Sequence, residues 1–194
     1  MKKISVEAGI KALIFDCDGT LVNSMPLHMQ AWKEAFKKFD VNCDEKFLFS
    51  LKGMKETDII ILYNQTFKTN LDPDEVLLAK HEFIKQHVST LQPIEPVVEV
   101  ARSFYGKLPI AVASGSVRNI VNAELNTIGI FHLFNFILTA DDPYKPKPAP
   151  DIFYAAAFSM NVDPQYCLVF EDGDAGLEAA SKAGMNTLDV RPYI

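Results

Sequence analysis

Basic charge is scarce in this chain. Nineteen lysines and arginines face twenty-five acids among 194 residues, a net charge of −6 and a pI near 5.2. Such a balance argues against non-specific nucleic-acid binding, which needs a basic surface. It leaves an anionic small substrate open, because a bound metal ion can reverse the local field. Cysteine is scarce too. Cys17, Cys43 and Cys167 stand at wide spacings, forming neither a disulfide framework nor a zinc pattern, and a reduced, cytoplasmic setting follows. No apolar run approaches the length of a membrane span. The N-terminus begins basic but has no long apolar region before Lys11, so it does not read as a signal peptide. Repeats, low-complexity tracts and flexible linkers are absent as well.

What remains is 48% hydrophobic and 23% charged, the balance of a soluble globular protein with a real core. Its length suits one domain, or one with a sizeable insertion. Short apolar runs of strand type occur at 12–15, 109–113, 135–139, 167–170 and 187–190, with helical patterns at about 117–128, 151–160 and 174–183 between the later ones. Alternation of this kind predicts an α/β fold, a three-layer, doubly wound parallel sheet. Residues 26–91 break it. Leu27, Ala31 and Ala35 recur every four residues, as do Trp32 and Phe36, while Lys33, Glu34, Lys37 and Lys38 cover the other side. That is an amphipathic helix. Asp72-Pro73-Asp74-Glu75 reads as a helix start, with Asp72 as N-cap and Pro73 in the first turn. The segment is predicted to be an all-helical insertion after the first strand. Expected boundaries are 1–24 and 93–194 for the core and 25–92 for the insertion, with Ser24-Met25-Pro26 and Gln92-Pro93 as joints.

Chemistry enters at the strand ends. The run Ala12-Leu13-Ile14-Phe15 stops at Asp16-Cys17-Asp18-Gly19-Thr20. A buried strand ending this way puts carboxylates at the carboxyl edge of the sheet, where open α/β sheets bind ligands. Asp16 and Asp18 could hold a hard cation, and one of them could attack phosphorus; a strand followed by a tight turn reads the same. Ser114-Gly115-Ser116 offers hydroxyls and amides before a helix, as an anion site or as a cap. In Pro146-Lys147-Pro148 a lysine is held by a stiff backbone, suited to a fixed positive charge. Glu171-Asp172 closes a second buried strand, and acids from two strands suit a magnesium site. The glycines around 173–176 do not form G-x-G-x-x-G, so a dinucleotide reading fails.

In this order, Asp-x-Asp-Gly-Thr, Ser, Lys and Glu-Asp resemble the motif series of the haloacid-dehalogenase-like hydrolase superfamily, across the whole chain. Lys147-Pro-Ala-Pro-Asp-Ile-Phe153 and Phe170-Glu-Asp-Gly-Asp-Ala-Gly-Leu-Glu-Ala-Ala-Ser-Lys-Ala-Gly-Met185 look like its β-phosphoglucomutase-like branch. The resemblance implies a Rossmann-like core with a small helical cap, Mg2+ as cofactor, and a small phosphorylated sugar as substrate. It implies Asp16 as nucleophile and Asp18 as general acid and base, with its carbonyl touching the metal. Ser114, Gly115 and Lys147 would hold phosphoryl oxygens. Asp172 would bind the metal beside Asp16, and Glu171 directly or through water. Dehalogenation is disfavoured by Asp18, since a halide leaving group needs no proton whereas an alkoxide does.

Within the branch, His28 and Lys52-Gly53 resemble substrate-contacting positions of the mutase cap. The mutase's phosphate-gripping arginine falls on Glu56, and a carboxylate cannot bind a phosphate dianion. The mutase's lysine after the serine motif falls on Val117. A short sugar-phosphate phosphatase is therefore expected ahead of a mutase. A non-catalytic phosphate-binding protein comes last, because Asp16, Asp18 and Lys147 are all present. A monomer is the simpler expectation, with no nucleic-acid or membrane partner.

Overall fold

The computed structural model describes residues 4–52 and 54–194. Five parallel strands form one sheet: β1 (Ala12–Phe15), β2 (Ile110–Ala113), β3 (Phe136–Leu138), β4 (Cys167–Glu171) and β5 (Asn186–Asp189), in the order β3-β2-β1-β4-β5. The first strand in sequence is thus the middle one in space. All four of its residues have no exposed surface, which explains why it reads as an unbroken apolar run rather than an alternating one.

Alternate side chains supply two cores. Leu13, Phe15, Ile110, Val112, Leu168 and Phe170 point to one face, where Phe15 and Phe170 stack with ring centroids 4.5 Å apart. Helices α5 (Glu95–Phe104) and α6 (Arg118–Thr127) cover that face through Val97, Val98, Ala101, Val121 and Leu125. On the other face Ala12, Ile14, Ala111, Ala113 and Val169 meet Phe153, Ala156 and Ala157 of α7 (Asp151–Met160) and Ala179 and Ala180 of α8 (Asp174–Lys182). Helix, sheet and helix make the three layers expected from the alternation, and small residues let the second pair of helices approach closely.

Between β1 and α5 the named elements among the described residues are helices: α1 (Met25–Lys37), α2 (Glu45–Ser50), α3 (Glu56–Phe67) and α4 (Pro73–His87), with a short 3₁₀ turn at Val88–Thr90. They have their own core of Trp32, Phe36, Leu48, Ile60, Tyr63 and Val76. Asp72 caps α4, accepting from the Asp74 and Glu75 amides, with Pro73 in the first turn. Where the chain leaves and re-enters the sheet layer, the two connections bond to each other: Asn23 N–H donates to Gln92 O and Ile94 N–H to Leu21 O, both at 2.9 Å. Among the described residues no helix is long and apolar enough to cross a membrane.

Candidate active site

Strand register brings the motifs together. Phe15 lies beside Val112 on one side and Phe170 on the other, so the residues that follow all emerge at one edge. Strand order also diverges at β1, which makes this edge the switch-point crevice. Asp16, at the end of β1, is 6% exposed. The ammonium of Lys147 donates to Asp16 Oδ1 at 2.7 Å, to Glu171 Oε1 at 2.7 Å and to Ala113 O at 3.0 Å. All three of its donors are used, so the charge is held at one point. Burial works against that charge, yet Asp16 and Glu171 push the Lys147 pKa above its usual value.

Asp172 accepts from Lys52 Nζ at 2.9 Å on Oδ2, and its backbone carbonyl accepts from the same ammonium at 2.9 Å. Gly173 N–H donates to Glu171 Oε2 at 2.7 Å. Asp16, Glu171 and Asp172 each place an oxygen within 4.8 Å of the others. Burial raises the Asp16 pKa, Lys147 opposes the rise, and the charges of Glu171, Asp172 and Asp18 add to it. Three clustered carboxylates against two ammonium groups fit a hard divalent cation, which prefers such oxygen donors.

Two glycines make room for these acids. Gly19 has φ +76°, and a Cβ there would lie 2.5 Å from Asp172 Oδ2. A Cβ on Gly176 would lie 1.7 Å from Glu171 Oε1. Glycine to alanine inside a helix ordinarily stabilises. Gly176→Ala is expected to do the opposite, lowering the thermal unfolding midpoint by at least about 3 °C through overpacking. An unchanged or higher midpoint would show that Glu171 has another place to go.

Asp18 sits in a second cluster. Ser24 Oγ donates to its Oδ1 at 2.6 Å and Ser116 Oγ to its Oδ2 at 2.7 Å. His28 Nε2 lies 2.9 Å from Asp18 Oδ1 and 3.0 Å from Glu124 Oε1. Burial would raise the Asp18 pKa, but His28 and the two hydroxyls hold the carboxyl well below the usual range. Burial, together with Asp18, pushes Glu124 up to about 7, with His28 opposing. Lys80 Nζ lies 3.1 Å from His28 Nδ1. Burial and Lys80 act against a positive charge on His28, but Asp18 and Glu124 push its pKa up to about 9, so a proton on Nε2 faces the acids.

Lys80 is fully buried and pairs with Glu56, whose other oxygen meets His81 Nε2. Burial alone would raise the Glu56 pKa, but Lys80 and His81 bring it down to about 2 from an ordinary 4.5. A depressed folded-state pKa means stability that is full above the unfolded value and lost as pH falls toward the folded one. Between pH 6 and pH 3 the protein should therefore lose roughly 2 kcal/mol that Glu56→Gln does not lose. Denaturant unfolding at the two pH values checks this; equal losses would mean the pair does not form.

A cleft opens over Asp16 and Asp18, between the sheet edge and the helices that follow β1. Met25, Met29, Trp32, Leu48, Met54 and Ile59 give it apolar walls, and Gly115, Ser116, Lys52 and Glu56 also line it. Of the residues expected from sequence, Asp16, Asp18, His28, Lys52, Gly115, Glu171 and Asp172 all face this cavity, and Lys147 lies beneath, bonded to Asp16. Ser114 is fully buried, its Oγ accepting from the Ser116 amide at 3.0 Å, so Ser116 is the hydroxyl at the cavity. Gly53 lies outside the described residues.

Ser24, Lys80, His81 and Glu124 were not singled out from sequence as site residues. Two of them carried a signal. Glu124 follows Ile120 by four and Val121 by three, and Lys80 lies four from both Val76 and Ile84. A charged residue on the apolar side of an amphipathic helix needs a buried partner.

The sequence model of the haloacid dehalogenase-like hydrolases matches residues 10–184, and the chain belongs to that family. It is 36% identical over 180 residues to fructose-1-phosphate phosphatase YqaB of Escherichia coli, covering 92% of this chain and 95% of that protein. It is 30% identical over 190 residues to β-phosphoglucomutase of Bacillus subtilis, covering 93% and 83%. The crystal structure of β-phosphoglucomutase from Clostridium difficile superposes with a TM-score of 0.76 at 29% identity, covering 93% of this chain and 84% of that one.

Proposed function

We propose that this protein is a Mg2+-dependent phosphatase of small sugar monophosphates, a phosphoric monoester hydrolase acting through an aspartyl-phosphate on Asp16. The observation that carries the reading is the Lys147 ammonium, 2.7 Å from both Asp16 and Glu171, at the floor of a cavity that Asp18 and Asp172 also face. An anionic carboxylate can approach an anionic phosphate only where fixed positive charge offsets the repulsion.

In this reading Asp16 attacks phosphorus, the bond to the sugar oxygen breaks, and Asp18 gives that oxygen a proton. Asp18 then takes a proton from water as it attacks the aspartyl-phosphate, releasing phosphate and restoring Asp16. At rest the donors around Asp18 favour its ionised form. It therefore takes up a proton from solvent, loosening one of those bonds, before the acid step, and the proton it takes from the attacking water restores that state. Lys147, with the Gly115 and Ser116 region, holds the phosphoryl oxygens. Asp16, the Asp18 carbonyl, Asp172 and Glu171 would hold Mg2+, which supplies further positive charge to those oxygens when bound. Residues 25–92 act as a cap over a core of 1–24 and 93–194, and apolar walls exclude water around the sugar. Three free cysteines suit a cytoplasmic setting.

Mutase activity ranks second, supported by the likeness to β-phosphoglucomutases and by His28 and Lys52. A screen of sugar monophosphates with Mg2+ separates the two. β-Glucose 1-phosphate should release phosphate; its conversion to glucose 6-phosphate without net release would overturn the phosphatase reading. The cap gives a further prediction. His28→Ala or Lys52→Ala should lower kcat/KM for the best sugar phosphate by about tenfold more than for p-nitrophenyl phosphate, which lacks the sugar hydroxyls these residues would contact. Equal losses on both would make these residues structural.

A further inference from the structure

Two lysines, Lys52 in the turn after α2 and Lys80 on α4, stand near the cavity, and both are paired. Lys52 is engaged by Asp172 at 2.9 Å. Lys80 lies behind the cavity wall, fully buried, over the Trp32 ring at 4.9 Å and against His28 and Glu56. Glu56, in the first turn of α3, lines the cavity beside Trp32 and Ile59, as His28 does, whereas Lys80 does not. One of its oxygens meets Lys80 and the other His81.

A carboxylate therefore stands between the cavity and the Lys80 ammonium behind this wall. A second phosphate brought here would face a carboxylate, and the ammonium that could bind it is already paired. Sugar hydroxyls suffer no such repulsion and can donate to a carboxylate oxygen.

We infer that Glu56 is a specificity-determining residue: by pairing Lys80 and His81 it closes this wall to a second phosphoryl group, so that the cavity selects sugar monophosphates over bisphosphates. The inference rests on the phosphatase reading and adds to it the charge of the substrate's far end.

The test compares glucose 1-phosphate with glucose 1,6-bisphosphate as inhibitors of p-nitrophenyl phosphate hydrolysis, with binding to the Mg2+-loaded enzyme followed by calorimetry. The wild type should bind the monophosphate at least about tenfold more tightly. Glu56→Gln, which frees the Lys80 charge, and Glu56→Ala, which also opens a path to it, should move the ratio toward the bisphosphate by about tenfold or more. Adding Lys80→Gln to Glu56→Gln should cancel that gain, which a loosened cavity alone would not do. A wild type that binds the bisphosphate as well as the monophosphate overturns the inference whether or not the variants fold. So does a ratio that stays within about twofold in both Glu56 variants. Absence of p-nitrophenyl phosphate turnover in the wild type would instead count against the phosphatase reading, which the binding ratio leaves separate.

Discussion

Asp16→Asn should abolish hydrolysis of p-nitrophenyl phosphate, lowering kcat by at least about 10⁴-fold while leaving the fold intact. An amide is nearly isosteric with a carboxylate but lacks the charge and the nucleophilic oxygen. Its carbonyl can still accept from Lys147, which keeps its bond to Glu171. The substitution also removes one of three crowded carboxylates. The thermal unfolding midpoint should consequently hold or rise, as expected where function is built at the expense of stability. Steady-state turnover and thermal unfolding on the same preparation check both halves. Retained turnover would remove Asp16 from the mechanism.

Lys147→Met should damage activity and stability together. The ammonium is almost wholly buried and is the partner of both Asp16 and Glu171. Methionine approximates its length but leaves two buried carboxylates facing each other without a cation. Breaking a buried ion pair from one side costs about 3–5 kcal/mol, much of it the unpaired charge left behind. In a chain of this size that corresponds to a fall of roughly 10 °C in the unfolding midpoint. Turnover should fall by about 10³-fold, since the fixed positive charge at the phosphoryl oxygens is lost. The asymmetry is the informative part: loss of Asp16 spares the fold, and loss of Lys147 does not. A stable, active Lys147→Met protein would contradict the geometry of the site. Partial recovery of stability in the double variant Asp16→Asn, Lys147→Met would show the coupling directly.

Local signals made the fold legible. β1, buried on both faces, reads as a continuous apolar run, and α7 was predicted at the residues it occupies, 151–160. Elsewhere the elements differ from expectation by a residue or two, as with β3, three residues long rather than five. It is an edge strand whose Phe136 is partly exposed, so its pattern is weaker than that of the centre. The acids and the lysine of the site were legible for a related reason. They follow apolar strands or sit between prolines, and such contexts limit where a charged side chain can go.

Ser114 and Ser116 show where that reasoning ends. Both hydroxyls belong to one short turn, and only the backbone path decides which faces the cavity. Here Ser114 turns inward to the Ser116 amide and Ser116 reaches Asp18. Glu56 is a sharper case. Sequence placed a carboxylate where the mutase has a phosphate-gripping arginine. Lys80, 24 residues away, lies beside it and is neutralised by it.

By itself the sequence determined the layered parallel sheet, the helical segment after its first strand and the acids that end two buried strands. Hydrophobic periodicity and turn chemistry act over a few residues, and both are written locally. Only the tertiary structure decided the pairings, because distance in space is independent of distance along the chain. It joined Lys147 to Asp16 and Glu171, and Glu124 to His28 and Asp18. It also set Glu56 between the cavity and Lys80, a matter of how three helices pack and one that no local pattern records.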